Sequence, residues 1–230
     1  MLKKYEAASE RVNLARAFMA RSIIGKYLNR TNLIFYSELS SLIGCEAFVK
    51  HENHNPTGSF KIRGALNFYH HISREKLDAG ILVATRGNHG LAMAWAGQWF
   101  QVPCTVVVPE NNNPEINRII ENYGAELIVR GADFYDAQSY CEELVDSAGY
   151  YYVEQGNEPE ILNGIATLGL EIMEDLPEVD TIICPIGGGA GWGRELKESA
   201  MSERAPEWQV VVNQRSQYAL WPAWRALPAG

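Results

Sequence analysis

The sequence has no paired cysteines. Cys45, Cys104, Cys141 and Cys184 are scattered with no C-x-x-C between them. Their spacing reads neither as a disulfide framework nor as a zinc site, although it leaves an individual disulfide open. Long apolar runs are missing too: Ile81-Leu82-Val83-Ala84 and Thr105-Val106-Val107-Val108 are strand-sized, far short of a membrane span. The first residues, MLKKYEAASERVNLARAF, do not contain the continuous apolar stretch of a signal peptide. A cytoplasmic, reduced protein is the expectation. Positive charge is scarce, with 20 Lys and Arg against 28 Asp and Glu and a net charge of −8, which excludes a nucleic-acid binder relying on clustered cations facing phosphates. Repeats, low-complexity tracts and long linkers are also absent. What remains is a 230-residue chain, 47% hydrophobic and 21% charged, enough for one large or two modest globular domains.

From residue 81 onward, short β-branched runs alternate with longer amphipathic stretches. Strands are expected at 81–84, 105–108, 127–129, 151–153, 181–184 and 210–212, with helices at 89–100, 113–123, 133–147, 160–175 and 191–203. Nearly unbroken apolar runs suit strands covered on both faces, as in parallel sheets. The repeated strand–helix order then gives an α/β fold with open sheets. Punctuation agrees: Asn111-Asn112-Asn113-Pro114 reads as a helix start and Gly124 as a helix end. Upstream, 9–28 suits a helix and 46–51 a short strand.

The segment from Lys50 to Ala65 passes from a strand through a turn-rich loop into a helix reaching about His71, with Thr57 or Ser59 able to cap it. Lys61 and Arg63 then fall in the first helical turn, where the dipole disfavours cations. Such a setting lowers a lysine's pKa and prepares a nucleophilic amine. Equally, these are two surface cations in a poor position. A second strand–turn–helix occurs at Ala84-Thr85-Arg86-Gly87-Asn88-His89-Gly90, whose turn amides suit an anion. A third, Cys184-Pro185-Ile186-Gly187-Gly188-Gly189-Ala190-Gly191, lets backbone approach a phosphate closely, and suits a dinucleotide as well as any other phosphate ligand. Trp95, Trp99 and Phe100 recur at helical spacing and read as core. His51, His54, His70 and His71 lack metal-ligand spacing, and Glu142-Glu143 and Glu174-Asp175 read as solvated faces.

T-G-S-F-K-x-R-G-A over Thr57–Ala65 resembles the cofactor-lysine motif of the fold-type II pyridoxal-phosphate enzymes, specifically the serine/threonine dehydratases and serine racemases. The resemblance runs from about residue 10 to about 215 with motif order preserved. It implies two open, twisted α/β domains of the tryptophan synthase β type, a small one at 49–148 and a large one combining 1–48 with 149–230. It also implies pyridoxal 5'-phosphate held as a Schiff base on Lys61, with Phe60 near its ring. Asn88 is then placed at the cofactor's phenolic oxygen, and Gly187, Gly188, Gly189, Ala190 and Gly191 at its phosphate, where Ala190 replaces a glycine of the family pattern. Ser59, Arg86, Gly87, Asn88 and His89 are implied on the substrate side, although packing or capping also suits His89. The segment Glu154–Ile172 resembles the family's G-x-x-T-x-x-x-E-I lead into a helix and reads as structural.

The pattern is broken at three places. Arg86 stands where the family has a serine able to serve as acid/base in racemases; an arginine is a poor proton acceptor. It pairs with a second acidic group on the substrate or points outward. Asn213 stands where some relatives place a carboxylate for a divalent cation, so no metal is expected. No strand carrying a Ser, Thr or Cys for the pyridine nitrogen follows before the end, Leu220–Gly230, which reads as a fragment, a truncated product or a short member with an incomplete large domain. The implied reaction is dehydrative deamination of a serine- or threonine-like β-hydroxy amino acid to a 2-oxo acid and ammonia, with Lys61 as the base, in a homodimer. Alternatives are a racemase, a hydroxyaspartate lyase, a dehydratase of hydroxyectoine utilisation, a nucleotide-dependent dehydrogenase using 187–191, and a non-catalytic remnant.

Overall fold

The computed structural model describes residues 12–184 and the strands at 208–212 and 218–222. After helix α1 (Leu14–Ile24), a short antiparallel pair, β1 (Leu33–Phe35) and β2 (Phe48–Lys50), brackets a small helix α2 (Ser37–Ile43). A 3-10 turn at Glu52–His54 leads to α3 (Lys61–His71) and α4 (Arg74–Ala79). The central α/β run follows: β3 (Ile81–Ala84), α5 (Asn88–Phe100), β4 (Cys104–Val108), α6 (Pro114–Asn122), β5 (Glu126–Val129), α7 (Phe134–Ala148), β6 (Tyr151–Tyr152) and α8 (Pro159–Asp175).

Strands β3 to β6 form one parallel sheet in the order β5-β4-β3-β6. Every residue of β3 and β4 is buried, as the unbroken apolar runs imply. Side chains alternate between two layers with the period of two that a pleated strand requires. Ile81, Val83, Val106 and Val108 enter the core shared with α3 and α5, while Leu82, Ala84 and Val107 meet Ala137 and Cys141 of α7. The sheet is therefore sandwiched between helices, an α/β fold. It is the one parallel sheet among the described residues, and β6 belongs to it although Tyr151 lies beyond the boundary expected at 148/149.

Helices α3 and α8 cross at glycine contact. A Cβ on Gly164 would stand 2.5 Å from the Arg63 carbonyl oxygen, and one on Gly64 would stand 2.8 Å from that of Ile161. Two small residues thus let the backbones touch, fixing the start of α3 against α8. Arg63 completes the joint. It is 2% exposed and donates from Nε and Nη2 to Glu52 at 2.7 and 2.8 Å, and from Nη1 and Nη2 to Glu171 of α8 at 2.7 and 2.9 Å. Burial alone would lower the guanidinium's pKa, but the bonds to Glu52 and Glu171 outweigh it and raise it. Lys50 adds a 2.7 Å ion pair to Glu171. Arg63 is accordingly no surface cation, because two buried carboxylates compensate its desolvation.

Several other expectations are corrected. Residues 181–184 form no strand: no neighbouring strand pairs with them among the described residues, and Ile183 is exposed. The strand foreseen at 210–212 exists as β7 (Trp208–Val212), but it pairs antiparallel with β8 (Tyr218–Pro222), which contains no Ser, Thr or Cys. Trp99 is 60% exposed rather than core, because small residues of α5 (Ala92, Ala96, Gly97) occupy the face toward the interior; it stacks on Trp95 at 5.6 Å. Glu174 and Asp175 are ion-paired with Arg30 rather than simply solvated. All four cysteines are thiols. The helix foreseen at 191–203 and Asn213 lie outside the described residues.

Candidate functional site

The chain builds β3, β4 and β5 outward in one direction and then returns to add β6 on the other side of β3. Between β3 and β6 the winding reverses. The loops that leave these two neighbouring strands frame a crevice at the carboxyl edge, where ligands of open α/β sheets bind. The loop after β3 is Thr85–Gly87, and the loop after β6 runs from Val153 to Glu158. His89, buried at the start of α5, links them through Nε2, which lies 3.4 Å from the Val153 carbonyl. Since a carbonyl only accepts, the facing nitrogen carries the hydrogen.

Lys61, the first residue of α3, enters this crevice. Its Nζ donates to Gln155 Oε1 at 2.9 Å and lies 5.1 Å from the centre of the Phe60 ring. Burial lowers its pKa from 10.5 to about 8, and the nearby Cys184 thiol acts weakly the other way. The sequence anticipated a lowered value from the helix start; desolvation is the larger cause. His89 is pushed down to about 3, first by burial and then by the Lys61 charge, against the Val153 carbonyl. It is neutral at pH 7. Cys184 is raised by burial and held back by Lys61. That mutual influence places the chain leading into the glycine loop beside the lysine.

The remaining expected residues divide. Ser59 is buried, and its Oγ accepts from the Lys61 N–H at 3.4 Å, whereas Thr57 Oγ1 is buried without a partner among the described residues. Neither is the N-cap of α3, which is Phe60. Asn88 opens α5 with an exposed side chain. Thr85 Oγ1 accepts from the Gly87 and Gly90 amides at 2.9 and 3.2 Å. This leaves the Asn88 and His89 amides as the donors of the first turn with no intrahelical acceptor. Arg86 is exposed, forms no ion pair among the described residues, and donates from Nη2 to Asn111 Oδ1 at 3.3 Å. Gly187, Gly188, Gly189, Ala190 and Gly191 lie outside the described residues.

Two residues at the lysine escaped sequence reasoning: Gln155 and, as a neighbour of Lys61, Cys184. Gln155 lies two residues after the strand expected at 151–153 and Cys184 ends the run expected at 181–184, and in a parallel sheet the carboxyl ends of strands carry the ligand side chains. That signal marks a region of the chain, not which side chain within it reaches the lysine. A surface cavity of about 840 Å³, lined by Lys76, Asp146, Tyr151 and Glu158 among others, borders the β6 loop but contains none of the expected site residues. Size is a weaker guide here than chemistry.

The family model for pyridoxal-phosphate dependent enzymes matches residues 24–225. This chain belongs to that family. Among its relatives is an L-threonine ammonia-lyase of Thermotoga maritima, 38% identical over 170 residues, covering 74% of this chain and 42% of the relative. A catabolic L-threonine dehydratase of Staphylococcus aureus is 35% identical over 190 residues, covering 81% and 55%. Of solved structures, Dictyostelium discoideum serine racemase matches with a TM-score of 0.71 and 32% identity, covering 80% of this chain and 60% of that one. A pyridoxal 5'-phosphate-dependent aspartate racemase matches at 0.70 and 30%, covering 78% and 56%. The chain thus spans about half the length of the curated relatives it matches. The described residues fit a pyridoxal-phosphate dependent enzyme's aldehyde cofactor in one specific respect: a half-buried primary amine, its pKa lowered to about 8 by burial, faces the crevice.

Proposed function

We propose that this pyridoxal-phosphate dependent enzyme carries its cofactor on Lys61 and eliminates water from a serine- or threonine-like β-hydroxy amino acid, the released enamine then taking up water to give a 2-oxo acid and ammonia. The observation that carries the reading is the Lys61 amine in the β3/β6 crevice, bonded to Gln155, with a pKa near 8. The names of the threonine ammonia-lyase and dehydratase relatives support the substrate class. Asn88 and Phe60 would hold the cofactor from the α5 and α3 sides, and the loop Gly187–Gly191 would take its phosphate. When bound, the cofactor supplies an electron-withdrawing ring that accommodates the charge left when the substrate's Cα–H bond breaks.

The chain's own residues supply the rest. With a pKa near 8, Lys61 Nζ has a substantial neutral fraction at pH 7–8 and accepts the Cα proton as a base matched to its operating pH. The Asn88 and His89 amides offer donors to the substrate carboxylate. Neutral His89 closes the crevice floor without competing for the proton. Ser59 and Gly87 would serve on the substrate side.

Arg86 favours a second reading at the level of substrate. Its only described partner is the Asn111 amide, so its charge is left for an acidic substituent, as in hydroxyaspartate. The test is release of 2-oxo acid and ammonia from serine, threonine and hydroxyaspartate by the protein supplied with pyridoxal phosphate. Activity on at least one is expected, falling at least about a hundredfold in Lys61→Ala. Arg86→Ser selectively weakening hydroxyaspartate would support the acidic substrate. No release from any of the three by the folded, cofactor-bound protein would defeat the proposal.

A further inference from the structure

We infer that Gln155 is a positioning residue, the neutral acceptor that orients the Lys61 amine without stabilising its charged form as a carboxylate would. The inference rests on the reading of Lys61 as the reacting amine, and deepens it. The position carried no functional expectation, since the whole stretch Glu154–Ile172 reads as structural from sequence.

The geometry comes first. Gln155 lies in the loop after β6, and Lys61 is the first residue of α3, so the 2.9 Å contact joins two elements far apart in sequence. Both ends are anchored. Glycine contact between α3 and α8 fixes one helix on the other, and the Arg63 bonds to Glu171 tie them again. The amide oxygen therefore meets the amine through a rigid frame rather than through two flexible side chains. The groups facing Nζ are Gln155 from the β6 loop, Phe60 from the loop before α3, and Cys184 from the segment after α8. His89, from α5, is close enough for the two charges to influence each other. None of these supplies a carboxylate to Lys61 among the described residues.

The chemistry follows from the type of acceptor. A neutral amine has two N–H donors and one lone pair. An acceptor for one N–H fixes the rotation of the amine and so the direction of the lone pair, the electrons that attack an aldehyde or take a proton. A carboxylate at 2.9 Å would do the same but would stabilise the ammonium and keep the proton on nitrogen. The amide gives orientation with little of that charge stabilisation, which agrees with a lysine whose pKa falls on burial. Glutamine is the side chain with this length and no charge.

The test reads the amine directly and needs no cofactor. Competitive acetylation of Lys61 with acetic anhydride, followed by mass spectrometry of its peptide from pH 6 to 11, gives the amine's midpoint and its plateau reactivity. The parent is expected to titrate near 8. Gln155→Glu is expected to raise the midpoint by about one unit or more, so that labelling at pH 7.5 falls about tenfold. Gln155→Met, of similar shape without the oxygen, should leave the midpoint at or below the parent's and lower the plateau severalfold. Circular dichroism checks each fold. An unmoved midpoint in a folded Gln155→Glu, or an equal rise in Gln155→Met, would overturn the inference. Should Gln155→Glu not fold, an undiminished plateau in Gln155→Met overturns it alone. Visible absorbance with pyridoxal phosphate is recorded in parallel: a parent that binds no cofactor but shows the Gln155 effects would sink the proposed function and leave this inference standing.

Discussion

His89 and Arg63 show how differently two buried polar side chains respond to their surroundings. The His89 ring is neutral in the fold because its pKa is pushed to about 3, while an unfolded histidine titrates near 6.5. Between those values the unfolded chain binds more protons than the native one, so stability must fall as pH drops through 6.5 toward 3, and is fully present above 6.5. Chemical denaturation of the cofactor-free protein at pH 7 and pH 4.5 should show this loss, and His89→Gln should flatten the difference; an unchanged slope would contradict it. Arg63 has the opposite problem, a charge that persists and must be compensated. Arg63→Ala takes the cation from Glu52 and leaves Glu171 to Lys50 alone, and should cost about 3–5 kcal/mol in urea denaturation. A loss below about 1 kcal/mol would show that the ion cluster does not hold α3. At this scale the sequence singled out Lys61, Asn88 and the departure at Arg86 as candidates, because each sits in a local pattern of strand, turn and helix start. Gln155 was hidden for a physical reason. Which side chain reaches the lysine depends on how α3 crosses α8 and on which edge of the sheet β6 joins, and neither is encoded in local spacing.

Among the elements, the helices of the α/β run and the strands β3, β4 and β5 were legible to within a residue or two, since long periodic segments bounded by Gly, Pro and Asn carry strong signals. The short pieces were not: β1, α2 and α4 lack enough residues to show a period. The run 181–184 has strand composition but no partner among the described residues, and a strand exists only through its ladder. The backbone contact of Gly64 on Gly164 was equally invisible, because a glycine inside a helix reads as a weakness until its partner is known. Gly164→Ala forces a Cβ against the Arg63 carbonyl at 2.5 Å and should destabilise by about 1–3 kcal/mol. Because α3 would shift, cofactor affinity should weaken as well. Gly149→Ala, with open space around its Cβ but a φ of +76°, should lose stability without altering cofactor affinity. Equal affinity losses in both variants would show that the α3–α8 joint has no special bearing on the site.

For the molecule as a whole, the order β5-β4-β3-β6 brings together residues that the sequence keeps far apart. Lys61 comes from before the first parallel strand, His89 from after it, and Gln155 from after the last. Membership of the pyridoxal-phosphate dependent family rests on a match across residues 24–225, and the proposed site is at the carboxyl edge where open α/β sheets bind ligands. Among the described residues no helix is long and apolar enough to cross a membrane. The central claim is that the Lys61 amine bears the cofactor. The most direct measurement is the visible spectrum of the protein purified with pyridoxal phosphate, beside Lys61→Ala, followed by borohydride reduction and peptide mass mapping. The account predicts a yellow band in the parent alone, and a pyridoxyl group fixed on the peptide carrying Lys61. A folded parent with no band, or a label fixed on another lysine, would contradict it.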